Sequence, residues 1–391
     1  MPEIHEMKNL LVLLLLITSF TVNAQTKSHE YKKVDEIIKK YSVPIDNDAI
    51  ISVARFIYEN FSSETEKLRA IYVWLAENFE YDVENMFNLK TYADKQEVID
   101  EMINKKKGVC MHFAFLFKEI GEILGVKSHI IQGFTKQNGI IVEFPHAWCT
   151  SFTDSTWVLI DPTWGAGHII NGKEYVKKLN NDYFMSKPEK LVQSHFPYDP
   201  LWQFLNFPVS IQDFYDSKTE INKDKPFFNY PDTLLAYEKG TRMEQLISTN
   251  RRIIETGVIN PLIKTHLEIN EKEIDLYKQQ ITVERFNLAA NYFNDGVKYL
   301  NEFITYRNNQ FMPQKTKTET REMVEKAENE LLKARNELQS ISSTDKNMID
   351  MIIQLQNSIS EIAKQLYEHK NFINKYFNTT NPSQRKSLFY Q

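Results

Sequence analysis

Cysteine is almost missing: Cys110 and Cys149 are the only two in 391 residues. That excludes a disulfide-stapled scaffold and leaves each thiol to be explained by itself. Glycine and proline are scarce, at 11 and 13, which argues against collagen-like or low-complexity chains. Neither sign of charge dominates, since 47 basic side chains face 52 acidic ones for a formal charge of -5. So weak a field offers no general attraction to phosphate backbones, and nucleic acid is not an expected partner. Long hydrophobic runs are also missing. The stretch Leu10 to Ile17 is the longest, and a membrane-spanning helix needs about 20 apolar residues, so no transmembrane segment is expected in the mature chain. Aromatics, by contrast, are plentiful, with 25 Phe and 19 Tyr. Composition and length together suggest a folded protein of two domains.

The run from Leu10 to Ile17 is followed by Thr18, Ser19 and Val22-Asn23-Ala24, a small-residue pattern that reads as an export signal cleaved near Ala24. Glu3 and Glu6 make this leader less positive than usual, and Met7 with Lys8 offers an alternative start. With no cysteine close behind the cleavage pattern to carry a lipid, the expectation for residues 1–24 is a signal peptide, and for the mature protein a secreted or periplasmic location.

Apolar residues recur at helical spacing from Ala49 to Phe61 and from Ser63 to Phe79, and Ser63 with Glu66 forms a capping-box start. A third helix is predicted after Gly108-Val109, with Phe113, Phe117, Ile120 and Leu124 on one face and Gly125 at its end. Cys110 then falls at a helix N-terminus. Strand-like runs follow: His129 to Ile131, the turn signal Asn138-Gly139, Ile140 to Phe144, His146 to Phe152, and Thr156 to Ile160. The fold class expected is α+β, helices packed on an antiparallel sheet. His195 to Gln203 reads as a loop, and a linker around Asp216 to Asn229 closes the domain.

Beyond Pro231 the pattern is helical throughout. Val324, Ala327, Leu331, Ala334, Leu338 and Ile341 alternate spacings of three and four, and a matching seam resumes at Ile352, Leu355, Ile359, Ile362 and Leu366. An all-α hairpin or bundle is expected over 229–391, coiled-coil-like, with its seams available for a partner or for self-association. The first domain is expected over 25–228.

A cysteine nucleophile needs its thiolate, which a helix N-terminus and a neighbouring imidazole both favour. Cys110 has the position. His146 at the start of one strand and Asp161 at the end of the next come together if those strands pair, and the carboxylate would then orient the ring. A metal site built from Cys110-x-His112 and His146-x-x-Cys149 is the competing reading. It is disfavoured because residues three apart on a strand face opposite ways and the usual paired-cysteine spacing is missing.

Gly108-Val109-Cys110, Pro145-His146-Ala147-Trp148 and Leu159-Ile160-Asp161-Pro162-Thr163-Trp164 resemble, in order and spacing, the three signature blocks of the transglutaminase-like superfamily. Ile71 to Leu75, Tyr81-Asp82, and the run from Tyr183-Phe184 to Trp202-Gln203 resemble the branch that includes kyphoscoliosis-type peptidases. The resemblance covers roughly residues 45–215. It implies a papain-like fold and a Cys-His-Asp triad of Cys110, His146 and Asp161. It also implies acyl transfer from a peptide, isopeptide or glutamine amide through a thioester, with a protein or peptide as substrate. Hydrolysis is expected over cross-linking, because water is the default acceptor. A noncatalytic peptide- or cell-wall-binding module that keeps the fold is the alternative. No cofactor is expected, since no acidic loop with calcium-binding spacing is present.

Overall fold

The computed structural model describes residues 31–41, 48–88, 90, 92, 94–258 and 260–390. The expected export signal lies outside them. No described helix is long and apolar enough to cross a membrane.

Three helices come first: α1 (residues 31–40), α2 (Ala49–Asn60) and α3 (Glu64–Asn78). The capping box at the start of α3 forms as its sequence predicts: the Glu66 amide donates to the Ser63 hydroxyl at 3.1 Å, and the Ser63 amide donates to the Glu66 carboxylate at 3.1 Å. Every residue from Leu68 to Ala76 is buried, so α3 runs through the core rather than across its surface. Short β1 (Glu80–Tyr81) pairs in parallel with β2 (Lys107–Gly108), with α4 (Lys95–Lys105) as the crossover. Helix α5 (Cys110–Ile123) starts directly after β2 and buries Phe113, Phe117 and Ile120 against α3 and its neighbours.

The main sheet is antiparallel. It holds β3 (Ser128–Gln137), β4 (Ile140–Thr153) and β5 (Thr156–Ile160), joined by the two-residue turns Asn138-Gly139 and Asp154-Ser155. All four turn residues have positive φ, between 49° and 78°, as right-twisted hairpins require. Helix α6 (Pro162–Ala166), the hairpin of β6 (Gly167–Ile170) with β7 (Glu174–Lys177), and α7 (Pro188–Leu191) lead to β8 (His195–Pro197), which pairs with β3. The order across the sheet is β5-β4-β3-β8. Alternation along β4 sends Ala147 and Cys149 into the helix-side core and Trp148 into a second core with Ile131, Leu159 and Trp202. The segment His195 to Gln203, expected to be a loop, contains β8 and a 3-10 turn over Pro200–Gln203. Both elements are too short for their periodicity to register in sequence.

After α8 (Ile211–Tyr215), helices α9 (Tyr230–Lys239) and α10 (Arg242–Thr256) and the first turns of α11 (Pro261–Asn308) pack on this same body. Leu234 joins the core around Trp148, while Ile253, Ile263 and Leu267 join one with Phe134, Phe196 and Phe214. The chain divides into compact units between Asn270 and Glu271, so the expected linker at Asp216 to Asn229 falls inside the first unit. Within the second unit, the rest of α11, α12 (Lys317–Gln339) and α13 (Lys346–Asn378) share one core, and α14 (Pro382–Ser387) follows. Val324, Ala327, Leu331, Ala334 and Leu338 are buried along α12, as are Ile359 and Leu366 along α13.

Candidate active site

Cys110 opens α5, with Val109 as the N-cap in an extended conformation. Its thiol therefore sits where unpaired backbone N–H groups and the helix dipole favour an anion. Two residues support this start. His112 accepts the Val109 amide on Nδ1 at 3.1 Å and meets the Tyr92 hydroxyl through Nε2 at 2.7 Å. A side chain on Gly108 would place its Cβ 2.5 Å from Met102 Sδ and 2.8 Å from His112 Cβ, so glycine is needed here for close approach. Burial pushes the His112 pKa down, and the neutral ring accepts at Nδ1 while donating from Nε2. With both its nitrogens so engaged, His112 is not a ligand set with Cys110. Cys149 is buried, and its thiol donates to the Ala114 carbonyl at 3.3 Å. Both cysteines are free.

Pairing of β4 with β5 puts Cys149 opposite Ile160, which brings the residue after β5 back beside His146. Asp161 is fully buried and caps α6: its Oδ1 accepts the amides of Thr163 at 2.8 Å and Trp164 at 3.1 Å. Its Oδ2 accepts from His146 Nε2 at 2.8 Å. Burial opposes the charge on Asp161, yet the positive His146 and the bonds from His146 and His195 hold its carboxyl well below the usual carboxylate range. Burial likewise pushes His146 down, but the charge and hydrogen bond of Asp161, followed by the hydrogen bond and charge of Cys110, raise it to about 10. His146 is thus bonded to Asp161 and is also influenced by the Cys110 thiol. Because Nε2 is committed to Asp161, Nδ1 is the nitrogen left for the Cys110 thiol. Of the three residues singled out from sequence, the structure brings His146 and Asp161 into direct contact.

A fourth residue was not singled out. His195, on β8, donates from Nε2 to the same Asp161 Oδ2 at 3.0 Å, and Ser194 Oγ lies 2.8 Å from its Nδ1. Burial keeps His195 low and neutral, against the pull of Asp161. The only sequence signal for it was its place in the aromatic run that continues to Gln203. The donor atoms of His146, Asp161 and His195 lie within 4.8 Å of one another, a spacing a metal ion could use. Each is already spent on the others through hydrogen bonds, so the geometry is that of a proton-sharing cluster.

A cleft of about 840 Å³ reaches His146 and is walled by Tyr81, Thr163, Trp164, Tyr183 and Ser194. Phe87 and Phe144, 58% and 43% exposed, also line it, with ring centroids 4.2 Å apart. Burial, then the charges of Cys110 and Asp161, raise the Tyr81 pKa, so its ring stays a neutral phenol beside the thiol.

Residues 51–162 match the model of the transglutaminase-like superfamily. Kyphoscoliosis peptidase of Mus musculus is 27% identical over 213 residues, covering 52% of this chain and 31% of that protein. The kyphoscoliosis peptidase of Homo sapiens is 26% identical over 193 residues, covering 47% of this chain and 28% of its own. The chain thus spans about a third of the length of these curated relatives. Among solved structures, one described as a TGase is 24% identical, covers 35% of this chain and 36% of its own, and has a TM-score of 0.25.

Proposed function

Because this chain carries a transglutaminase-like domain of the kyphoscoliosis-peptidase-like branch, we propose that it is an exported cysteine enzyme cleaving peptide, isopeptide or glutamine side-chain amides. Cys110 is the nucleophile, His146 the general acid and base, and Asp161 the orienting carboxylate. The observation that carries this reading is His146 itself: bonded to buried Asp161, with a pKa raised by that carboxylate and by Cys110, and lining a cleft.

In the proposed reaction the Cys110 thiolate adds to the amide carbonyl, and the carbonyl electrons move to oxygen. The backbone N–H of Cys110, at the start of α5, is placed to donate to that oxyanion. Collapse expels the amine, which takes its proton from His146 Nδ1, and leaves a thioester on Cys110. Neutral His146 then removes a proton from water, whose oxygen attacks the thioester. The products are a carboxylic acid and the regenerated ion pair. Asp161 holds Nε2 throughout, which leaves Nδ1 as the nitrogen that exchanges the proton. Hydrolysis is preferred over transfer to an amine because water needs no site of its own.

The test is the pH dependence of Cys110 alkylation in folded wild type, His146→Ala and Asp161→Asn. A free cysteine titrates near pH ~8.5. Reaction well below that in wild type, restored to ordinary behaviour by His146→Ala, supports the assignment. An ordinary or unreactive thiol in wild type would leave a noncatalytic peptide-binding module as the better description.

A further inference from the structure

Asp161 Oδ2 serves two imidazoles, and only one of them, His146, is influenced by Cys110. Resting on the catalytic reading above, we infer that Ser194 and His195 form a second hydrogen-bonded arm that positions Asp161 for catalysis. His195 is 1% exposed, and its ring is enclosed by Trp148, Trp164 and Tyr183 at centroid distances of 5.2, 4.5 and 5.8 Å. Its two nitrogens are both assigned by geometry. Asp161 can only accept, so Nε2 carries the proton; Nδ1 is then an acceptor, and the Ser194 hydroxyl donates to it at 2.8 Å. Ser194 also lines the cleft, so the arm runs from the cleft wall to the buried carboxylate.

Ring packing alone would be served equally well by phenylalanine. What histidine adds is a donor to a carboxylate that has no water to turn to. Hydrogen bonds to the charged form favour it, and a carboxylate with several donors gives up its proton more readily. Oδ1 is held by two backbone amides, and Oδ2 by one donor that must change its protonation during the reaction and one that need not. His195 is the constant donor. When His146 gives its Nδ1 proton away, His195 keeps Oδ2 anionic and in place. The other titratable groups facing Asp161 are Tyr72, Tyr81, Tyr183 and Cys149, all held neutral with raised pKa values, which leaves His146 and His195 as the groups that respond.

The experiment compares the acid limb of Cys110 alkylation by iodoacetamide in wild type, His195→Phe, His195→Gln and Ser194→Ala, each checked for folding by circular dichroism. Loss of a donor to a charged group should make Asp161 protonate at higher pH, and the limb should move up by about one pH unit or more in His195→Phe. Glutamine keeps an N–H donor and should recover most of the shift, while Ser194→Ala should move the limb in the same direction by less. A phenylalanine variant that melts earlier but titrates like wild type assigns His195 to packing and overturns the inference. Should His195→Phe not fold, an unmoved limb in Ser194→Ala has the same force. A wild-type thiol that titrates like an ordinary cysteine sinks the catalytic reading itself, whereas a low-titrating thiol indifferent to these variants sinks this inference alone.

Discussion

Arg252 grips Asp199 through two parallel hydrogen bonds, Nε to Oδ1 at 2.8 Å and Nη2 to Oδ2 at 2.6 Å. Both residues are buried, and Thr249 and the Leu201 amide complete the carboxylate's partners at 3.0 Å each. Asp199 lies four residues beyond His195, so this pair fastens α10 to the segment that carries the second imidazole. Removing one member of a buried pair costs about 3–5 kcal/mol, because the other is left charged and unpaired. Arg252→Ala should lower unfolding stability by that amount in urea denaturation, and a change below 1 kcal/mol would show that water reaches Asp199.

Truncation tests the same packing at larger scale. A chain ending at 228 loses Leu234, Ile253, Ile263 and Leu267 from two cores of the first unit, and it should give no cooperative thermal transition. A chain ending at 270 keeps them and should melt cooperatively. Equal melting of the two would mean that α9 and α10 contribute nothing to the first body.

Gly108→Ala forces a Cβ against Met102 and His112. Overpacking of this kind costs about 1–3 kcal/mol, and the strain falls on the turn before Cys110. Cys110 alkylation at neutral pH should slow with it. Destabilisation with an unchanged alkylation rate would separate the turn from the thiol's environment.

The ion pair makes a signed prediction for stability against pH. His146 is raised in the folded protein to about 10, so its contribution is full below an unfolded value near ~6.5 and is lost as pH rises towards 10. Asp161 is depressed, so its contribution is full above an unfolded value near ~3.9 and is lost as pH falls below that. The stability difference between wild type and His146→Gln should therefore be largest at about pH 5–6 and should shrink steadily into the alkaline range. A difference that grew from pH 6 to pH 9 would mean that His146 is neutral when paired.

On the catalytic reading, His146→Ala should lower amide turnover by roughly 10²–10⁴, and Cys110→Ala should abolish it. Turnover in wild type should be unaffected by EDTA, because the acid, base and nucleophile are all side chains. Loss of turnover in chelator, restored by added calcium or zinc, would point to a metal and contradict the reading.

Local sequence was enough to determine several features of this protein. Ser63 with Glu66 starts α3, Asn138-Gly139 turns β3 into β4, and the spacing of Phe113, Phe117 and Ile120 makes α5 amphipathic and puts Cys110 at its N-terminus. Each is a contact or torsion between residues close in the chain, so the pattern carries its own cause. The order of three motifs suggests that Cys110, His146 and Asp161 act together, and strand pairing between β4 and β5 decides the contact between His146 and Asp161. His195 lies 34 residues from Asp161, and no periodicity links them; β8 delivers it by pairing with β3. Arg252 is farther still, 53 residues from Asp199, and a helix that reads as part of the C-terminal half turns out to buttress the first unit. Such partnerships belong to tertiary structure alone, because burial in a shared core chooses which distant polar groups must satisfy one another.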